Sequence, residues 1–273
     1  MILELENKFA RYFIGDCAYI FNTIMALEGE KYRDFKDRST IRFVKKNNAY
    51  FIKKHFGVSF FEIVKNLFFL RLPITNAKPE WRAIKKLRDL NIPTMEPVGF
   101  GLKGISPLTQ KSFIITKELT NTVGLKDICD GWAKQSPAFA LKRDITITLA
   151  GIIRKMHING INHRDLYICH FLVDTNFLRE NKIKLYVIDL HRAQIRRQVP
   201  ERWLIKDLAG IYFSSLTYNA NKTDVFRFLR IYFDDNIKNI FAKHKNLLNK
   251  IARRARRMYN KECLNNELCG KKC

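Results

Sequence analysis

The order of elements predicts an α+β fold of two lobes, a β-rich N-lobe and an α-rich C-lobe. Three observations predict it. Strand-like runs separated by turn residues fill most of the chain up to Leu119, with one pair of helical patterns inserted. From Val123 onward, apolar residues recur mainly at helical spacing. No repeat, low-complexity segment or long linker interrupts the chain. The lobes are therefore expected at residues 1–119, with an N-terminal helical extension, and 120–273.

Asp16 is placed to cap a helix running to about Leu27, with Tyr19, Ile20, Thr23, Ile24 and Leu27 on one side. Gly29 closes it. Tyr32 to Val44 reads as two strands about the turn Lys36-Asp37-Arg38-Ser39, and Asn47-Asn48 turns into a third strand, Ala49 to His55. Alternation puts Lys53 on a face with Phe51 and His55, and Lys54 with Tyr50 and Ile52. Spacing does not choose between the two lysines. Phe60 to Leu72 has helical spacing and stops at Pro73; its apolar side suits a core or an interfacial surface. A second helix starts at Pro79, a favoured first-turn residue, with Glu80, Ile84, Leu87 and Asn91 on one stripe. A glutamate in an apolar stripe needs a buried cation, and Lys53 is the candidate. Ile92-Pro93 ends this helix. Gly99, Gly101 and Gly104 then punctuate a loop, Phe113 to Thr116 is a buried strand, and Lys117-Glu118-Leu119 is a hinge. Helices are expected at Leu125 to Trp132, Leu141 to Asn159, Leu204 to Leu216, Val225 to Phe233 and Asn246 to Tyr259.

The chemistry sits in two stretches, I-N-H-R-D-L-Y-I-C-H-F-L-V at 161–173 and K-L-Y-V-I-D-L-H-R-A-Q at 184–194. His163-Arg164-Asp165 follows a helical run ended by Gly160, and Asp189 comes at the end of an apolar strand-like run. A His-Arg-Asp turn followed by a buried strand ending in Asp is the catalytic half of a protein-kinase-like phosphotransferase. Asp165 is expected to meet the proton of the attacking hydroxyl. Asp189 is expected to hold the Mg2+ that neutralises the phosphates of ATP. His170 stands where protein kinases place a magnesium-binding Asn. Imidazole is the poorer ligand, so His170 either binds the ion or braces the loop through a hydrogen bond. Lys53 with Glu80 forms the expected phosphate clamp, and the backbone of Glu118 and Leu119 is expected to read adenine. Asp207, in Lys-Asp-Leu-Ala, is expected to brace the catalytic loop. No G-x-G-x-x-G precedes Lys53 and no A-P-E triplet follows Asp189, which argues against an ordinary protein kinase. The phosphate-covering turn falls instead to non-glycine residues near Asp37 to Ser39.

Fifty Lys plus Arg against 26 Asp plus Glu give a net charge of +24, which implies a polyanionic partner. No nucleic-acid reading motif or regular aromatic–basic pattern accompanies that charge, so no nucleic acid is expected. Six cysteines form no C-x-x-C pair and read as reduced thiols of a cytoplasmic protein. Met1 to Phe9 lacks a signal-like apolar core, and no run approaches the ~20 apolar residues that span a bilayer. Arg253, Arg254, Arg256 and Arg257 lie opposite Leu247, Leu248, Ile251 and Met258, either as a basic amphipathic helix on an anionic membrane or as a packed last helix with a solvated basic face.

Beyond these separate signals, the chain resembles the bacterial lipopolysaccharide core heptose(I) kinase family. The resemblance is carried by R-S-T-I-R (38–42), F-I-K (51–53), K-N-L-F-F-L-R-L-P (65–73), E-W-R-A-I (80–84), S-F-I-I-T-K-E-L (112–119), N-H-R-D-L-Y-I-C-H-F (162–171), V-I-D-L-H-R-A-Q (187–194) and K-D-L-A-G-I-Y-F (206–213). It covers most of the chain from about Gly29 to Phe233. It selects Lys53 over Lys54, makes Asp165 the catalytic aspartate and makes His170 a family feature. Leu166 departs from the family pattern, which has Cys there, and is expected to face away from Asp165. The resemblance implies a protein-kinase-like fold and ATP-dependent phosphorylation of the first heptose of the lipopolysaccharide inner core. It implies a core–lipid A precursor as acceptor and a peripheral location on the anionic inner face of the inner membrane of a Gram-negative bacterium. The residues alone leave a kinase of another sugar or small molecule, of aminoglycoside-phosphotransferase type, as the alternative.

Overall fold

A computed structural model of the chain describes residues 1–35, 37–57, 75–132, 135–218 and 220–268. Lys36 and the expected helix at Phe60 to Leu72 lie outside the described residues. The chain forms two compact units. The first holds Met1–Thr120 and takes back Asp189–Arg192; the second holds Asn121–Ile188 and the chain from Ala193 onward.

The first unit runs β1 (Ile2–Leu5), α1 (Asn7–Ala10), α2 (Cys17–Ala26), β2 (Glu30–Phe35), β3 (Arg38–Lys45), β4 (Asn48–His55), α3 (Lys78–Asp89), β5 (Glu96–Lys103) and β6 (Lys111–Lys117). Its strands form one antiparallel sheet in the order β1-β5-β6-β4-β3-β2. Asp16 caps α2 by accepting from the Tyr19 amide at 2.7 Å. Phe21 and Ile24 of that helix are buried with Phe43, Tyr50, Ile52, Phe113 and Ile115 of the sheet. Each such side chain contributes about 1.5–3 kcal/mol on burial, and this packing holds a helix too short to persist alone.

Two expectations are corrected here. Gly99 and Gly101 do not mark a loop, because β5 runs straight through them. A Cβ on Gly101 would fall 2.4 Å from the Phe113 ring and 2.9 Å from Phe21. The glycine lets two rings lie against the strand, a close approach that in sequence looks the same as a turn. Asn91 does not lie on the stripe of α3. The helix ends at Asp89, and Asn91 sits beyond it at φ 51°, its amide donating to the Arg88 carbonyl. It is the left-handed residue that stops the helix. Pro79 stands in the first turn as expected, and Glu80, Trp81, Ala83, Ile84 and Leu87 are buried.

The second unit runs β7 (Thr122–Gly124), α4 (Leu125–Gly131), α5 (Phe139–Ile158), β8 (Ile161–Asn162), β9 (Phe171–Asp174), α6 (Thr175–Arg179), β10 (Leu185–Val187), β11 (Gln194–Ile195), α7 (Glu201–Leu216), α8 (Lys222–Phe233) and α9 (Ile237–Leu268). Two small sheets, β10-β9-β7 and β11-β8, sit among the helices. Ile145, Leu149, Ile152, Ile153 and Met156 form the buried side of α5. Gly160, at φ 75°, turns the chain from α5 into β8. Any Cβ there would lie 1.8 Å from the Arg196 carbonyl oxygen. Asn221 and Asp224 close a reciprocal capping box on α8.

The last helix, α9, carries a local break at His244. Ile251 and Ala255 are buried, and Arg253, Arg254, Arg256 and Arg257 are exposed. The side of α9 that bears Ile251 is therefore covered by the fold, with α7 and α8 packed against the helix. The basic face is what meets solvent. No described helix is long and apolar enough to cross a membrane.

Candidate active site

The first unit gathers Lys53, Glu80 and Asp189. Strand β4 is central in the sheet and sets Lys53 opposite Thr40 on one side and Ile114 on the other. The Lys53 Nζ donates to Glu80 Oε1 at 2.6 Å and reaches Asp189 Oδ1 at 3.4 Å. Burial opposes the ammonium charge most, but the two carboxylates outweigh it and hold Lys53 above the ordinary lysine range. Glu80 is buried, and its Oε2 has no hydrogen-bond partner among the described residues. His55, two residues along β4, is pushed down to about 4, mainly by burial, and so stays uncharged at neutral pH. Lys53 is thus the cation this carboxylate meets.

Asp189 does not end a strand. β10 stops at Val187, and Asp189 follows in the left-handed region at φ 60°. A non-glycine residue rarely adopts that conformation, and here it falls on the carboxylate that the sequence singles out. His191 Nδ1 lies 2.7 Å from Asp189 Oδ1 and shares it with Lys53. Sequence reading missed this histidine, although the Asp-x-His spacing held the signal.

Lys54 takes the other face. It is buried, and its Nζ donates to the Leu27 carbonyl at 2.5 Å. Burial pushes its ammonium below the ordinary value. This division predicts distinct outcomes. Lys53→Ala should reduce nucleotide use on the order of 10²-fold if Lys53 is the phosphate clamp expected from the sequence, since a preorganised cation is then lost. Lys54→Ala should spare nucleotide use and cost about 1–3 kcal/mol of stability, because a part-buried carbonyl loses its donor. ATP KM and denaturant unfolding of both variants check this, and equal ATP defects would refute it.

Glu118 plays a part that the hinge reading did not foresee. Its carboxylate accepts a bidentate pair from Arg42, 2.7 Å from Nε and 2.8 Å from Nη2. That pair holds the Glu118 carboxyl below its usual range. The Glu118 amide donates to the Ala49 carbonyl at 2.9 Å and continues the β4–β6 ladder. At this residue any adenine contact therefore falls to the carbonyl. Leu119 follows directly, before the chain passes to the second unit.

The second unit builds its group around Asp207 of α7. This carboxylate is fully buried. It accepts from the His163 amide at 2.7 Å and the Arg164 amide at 2.8 Å, and His157 Nε2 stands 3.4 Å away. Arg164 sits at φ 72°, a strained turn that the two Asp207 bonds over-determine. The turn delivers Asp165, whose Oδ1 receives Lys206 Nζ at 3.2 Å. Lys206 was not singled out from the sequence. It precedes Asp207 on α7, so the helix that braces the loop also supplies a cation to its aspartate.

His170 closes a short 3-10 turn, Ile168–His170. Its Nδ1 lies 2.6 Å from the Asp165 carbonyl oxygen. A carbonyl only accepts, so Nδ1 carries the proton and Nε2 is the basic nitrogen of the ring. The ring stacks on His163 at 5.5 Å between centroids. His163 in turn uses Nε2 to donate to the Ile188 carbonyl at 3.0 Å. Leu166 is buried, and its carbonyl packs close to Gly210 of α7.

The model of the lipopolysaccharide kinase (Kdo/WaaP) family matches residues 22–232. Among known proteins, the chain is 45% identical over 258 residues to "Lipopolysaccharide core heptose(I) kinase WaaP" of Escherichia coli strain K12, covering 94% of this chain and 97% of that one. It is 40% identical over 263 residues to the protein of the same name from Pseudomonas aeruginosa, covering 96% and 97%. Among solved structures, it is similar to "WaaP in complex with acyl carrier protein", with a TM-score of 0.81, 37% identity, and coverage of 95% of this chain and 100% of that one.

Proposed function

Because the chain belongs to the lipopolysaccharide kinase (Kdo/WaaP) family, we propose that it transfers the γ-phosphoryl group of ATP to the first heptose of the lipopolysaccharide inner core. The observation that carries the phosphotransferase reading is Lys53 bridging Glu80 and Asp189. The choice of heptose rests on relatives of nearly full length that bear that name. Asp165 orients the attacking hydroxyl and takes its proton, and Lys206 keeps its carboxylate paired until then. Lys53 grips the nucleotide phosphates, with Glu80 holding the ammonium in place. The Glu118 carbonyl and the backbone of Leu119 read the adenine. The domains divide these roles, nucleotide in 1–119 and hydroxyl chemistry in 120–273.

Magnesium, when bound, neutralises charge on the phosphates. Asp189 would offer the ion a hard carboxylate oxygen, and His170, if it ligates, would use the ring nitrogen left by its Nδ1 bond to the Asp165 carbonyl. Among the described residues no three His, Cys, Asp or Glu side chains cluster for a metal. His170→Asn separates ligation from bracing. If His170 ligates, the amide oxygen substitutes, and activity returns at a similar or lower magnesium concentration. If only the Nδ1 bond to Asp165 matters, activity falls with an unchanged magnesium requirement. A magnesium titration of both proteins reads the difference.

The acceptor assignment is tested by transfer of labelled phosphate from ATP to purified core glycolipid, compared with free sugars and aminoglycosides. Labelling of the glycolipid alone is the expected result; preferential labelling of an aminoglycoside would sink it.

The same reading places the protein against the anionic cytoplasmic face of the inner membrane, held by charge. The support is the exposed basic face of α9, whose opposite side carries the buried Ile251 and Ala255. Each arginine near an anionic surface contributes up to roughly 1 kcal/mol, decaying within a Debye length of ~8–10 Å. Replacing Arg253, Arg254, Arg256 and Arg257 with Gln should weaken co-sedimentation with anionic vesicles strongly at low salt and little at high salt. Unchanged binding at low salt would make α9 purely structural.

A further inference from the structure

We propose that His191 is a positioning residue for Asp189, whose carboxylate it keeps turned for the cation that accompanies the nucleotide. The proposal rests on the reading of Asp189 as the carboxylate that meets magnesium.

Two donors converge on one oxygen of Asp189. His191 Nδ1 lies 2.7 Å from Oδ1, and Lys53 Nζ lies 3.4 Å from the same atom. An ionised carboxylate only accepts, so Nδ1 carries the proton of the first pair. The two donors are unequal. Lys53 spends its closest contact on Glu80, at 2.6 Å. It is also the cation that the nucleotide phosphates draw, and its long reach to Asp189 is the contact a phosphate oxygen displaces. The histidine is under no such competition. It stands two residues along the chain from Asp189, and its bond takes no part in the clamp of Lys53 with Glu80.

The backbone explains why such a bond is needed. Asp189 sits in the left-handed region at φ 60°, a conformation that persists where its surroundings over-determine it. Leu190 is fully buried, and the short turn Leu190–Arg192 packs against α3, the helix that carries Glu80. The chain just after Asp189 is therefore anchored to the element that also fixes Lys53. His191 stands on that anchored turn and reaches back. The backbone sets where the carboxylate stands, and the histidine sets how it is turned. A carboxylate that binds a metal depends on hydrogen bonds of this kind for its orientation, and losing one costs ~10–100-fold in metal affinity.

The test is a binding measurement. The Kd of a non-hydrolysable ATP analogue is measured in EDTA and across a magnesium series for the wild type, His191→Ala, His191→Asn and Asp189→Ala. The wild type should bind more tightly as magnesium rises. His191→Ala should need ~10–100-fold more magnesium to reach half of that gain, with its Kd in EDTA unchanged. His191→Asn should restore the wild-type midpoint, because its amide nitrogen stands where Nδ1 stood and donates to the same oxygen. A histidine that merely fills space gives another pattern: affinity in EDTA and the unfolding midpoint fall together, and Asn does not rescue. That pattern overturns the proposal, as does a wild-type magnesium midpoint in His191→Ala. Asp189→Ala separates the proposal from the reading beneath it. If Asp189→Ala loses the gain while His191→Ala keeps it, the proposal alone falls. If Asp189→Ala keeps the gain, or the wild type shows none, Asp189 is not the carboxylate for the ion and both fall.

Discussion

Asp165→Asn should fold like the wild type, bind ATP with little change, and turn over ~10²–10⁴-fold more slowly. The substitution keeps the size of the side chain and one oxygen for Lys206, whose Nζ stands 3.2 Å from Oδ1. What it removes is the group proposed to accept the proton as the hydroxyl attacks. The backbone of the turn is untouched, because its amides at His163 and Arg164 are held by Asp207 and its carbonyl by His170. Single-turnover phosphorylation alongside nucleotide binding checks the split. A variant that retains more than about a third of wild-type turnover refutes the assignment of the base.

Asp207→Ala should show the opposite signature, a fold that is itself damaged. The carboxylate is fully buried and accepts from two backbone amides with different oxygens. Its removal leaves both amides without an acceptor and strips His157 of its partner at Nε2. Breaking such a buried set costs about 3–5 kcal/mol, a large share of the stability of an ordinary domain. Asp207→Asn should not restore it, since one of its two positions becomes an NH2 facing an N–H donor. Denaturant unfolding of both variants measures the loss. A midpoint within experimental error of the wild type would show that the loop is held by something other than α7.

The turn that carries Asp165 and the pairing of Lys53 with Glu80 were legible because each leaves a local or periodic mark. A His-Arg-Asp turn is contiguous, and a glutamate in an apolar stripe announces a missing cation. The long helices were legible for the same reason: α5 repeats its apolar face over several turns. What the sequence hid is what depends on distant partners. β1, β7, β8 and β11 have two to four residues each, too few for alternation to register. Gly101 looks like a turn until Phe113 and Phe21 are seen lying against it. The Arg42–Glu118 pair joins residues 76 apart, and Lys206 reaches Asp165 across 41. Neither separation leaves a trace in local spacing. The left-handed backbone at Asp189 was equally invisible, since no residue nearby is a glycine that would advertise it.

The return of Asp189–Arg192 to the first unit bears on how the protein can be divided. A fragment ending at Thr120 would keep Lys53 and Glu80 but forfeit Asp189, so it would lose one of the two carboxylates that Lys53 reaches. The complementary fragment would carry that carboxylate on four residues whose fold belongs to the other piece. A gene cut at this point can therefore be rescued in trans only if the second product threads its own Asp189–Arg192 segment into the first. Fusion partners and purification tags are better placed elsewhere than at either end of that segment.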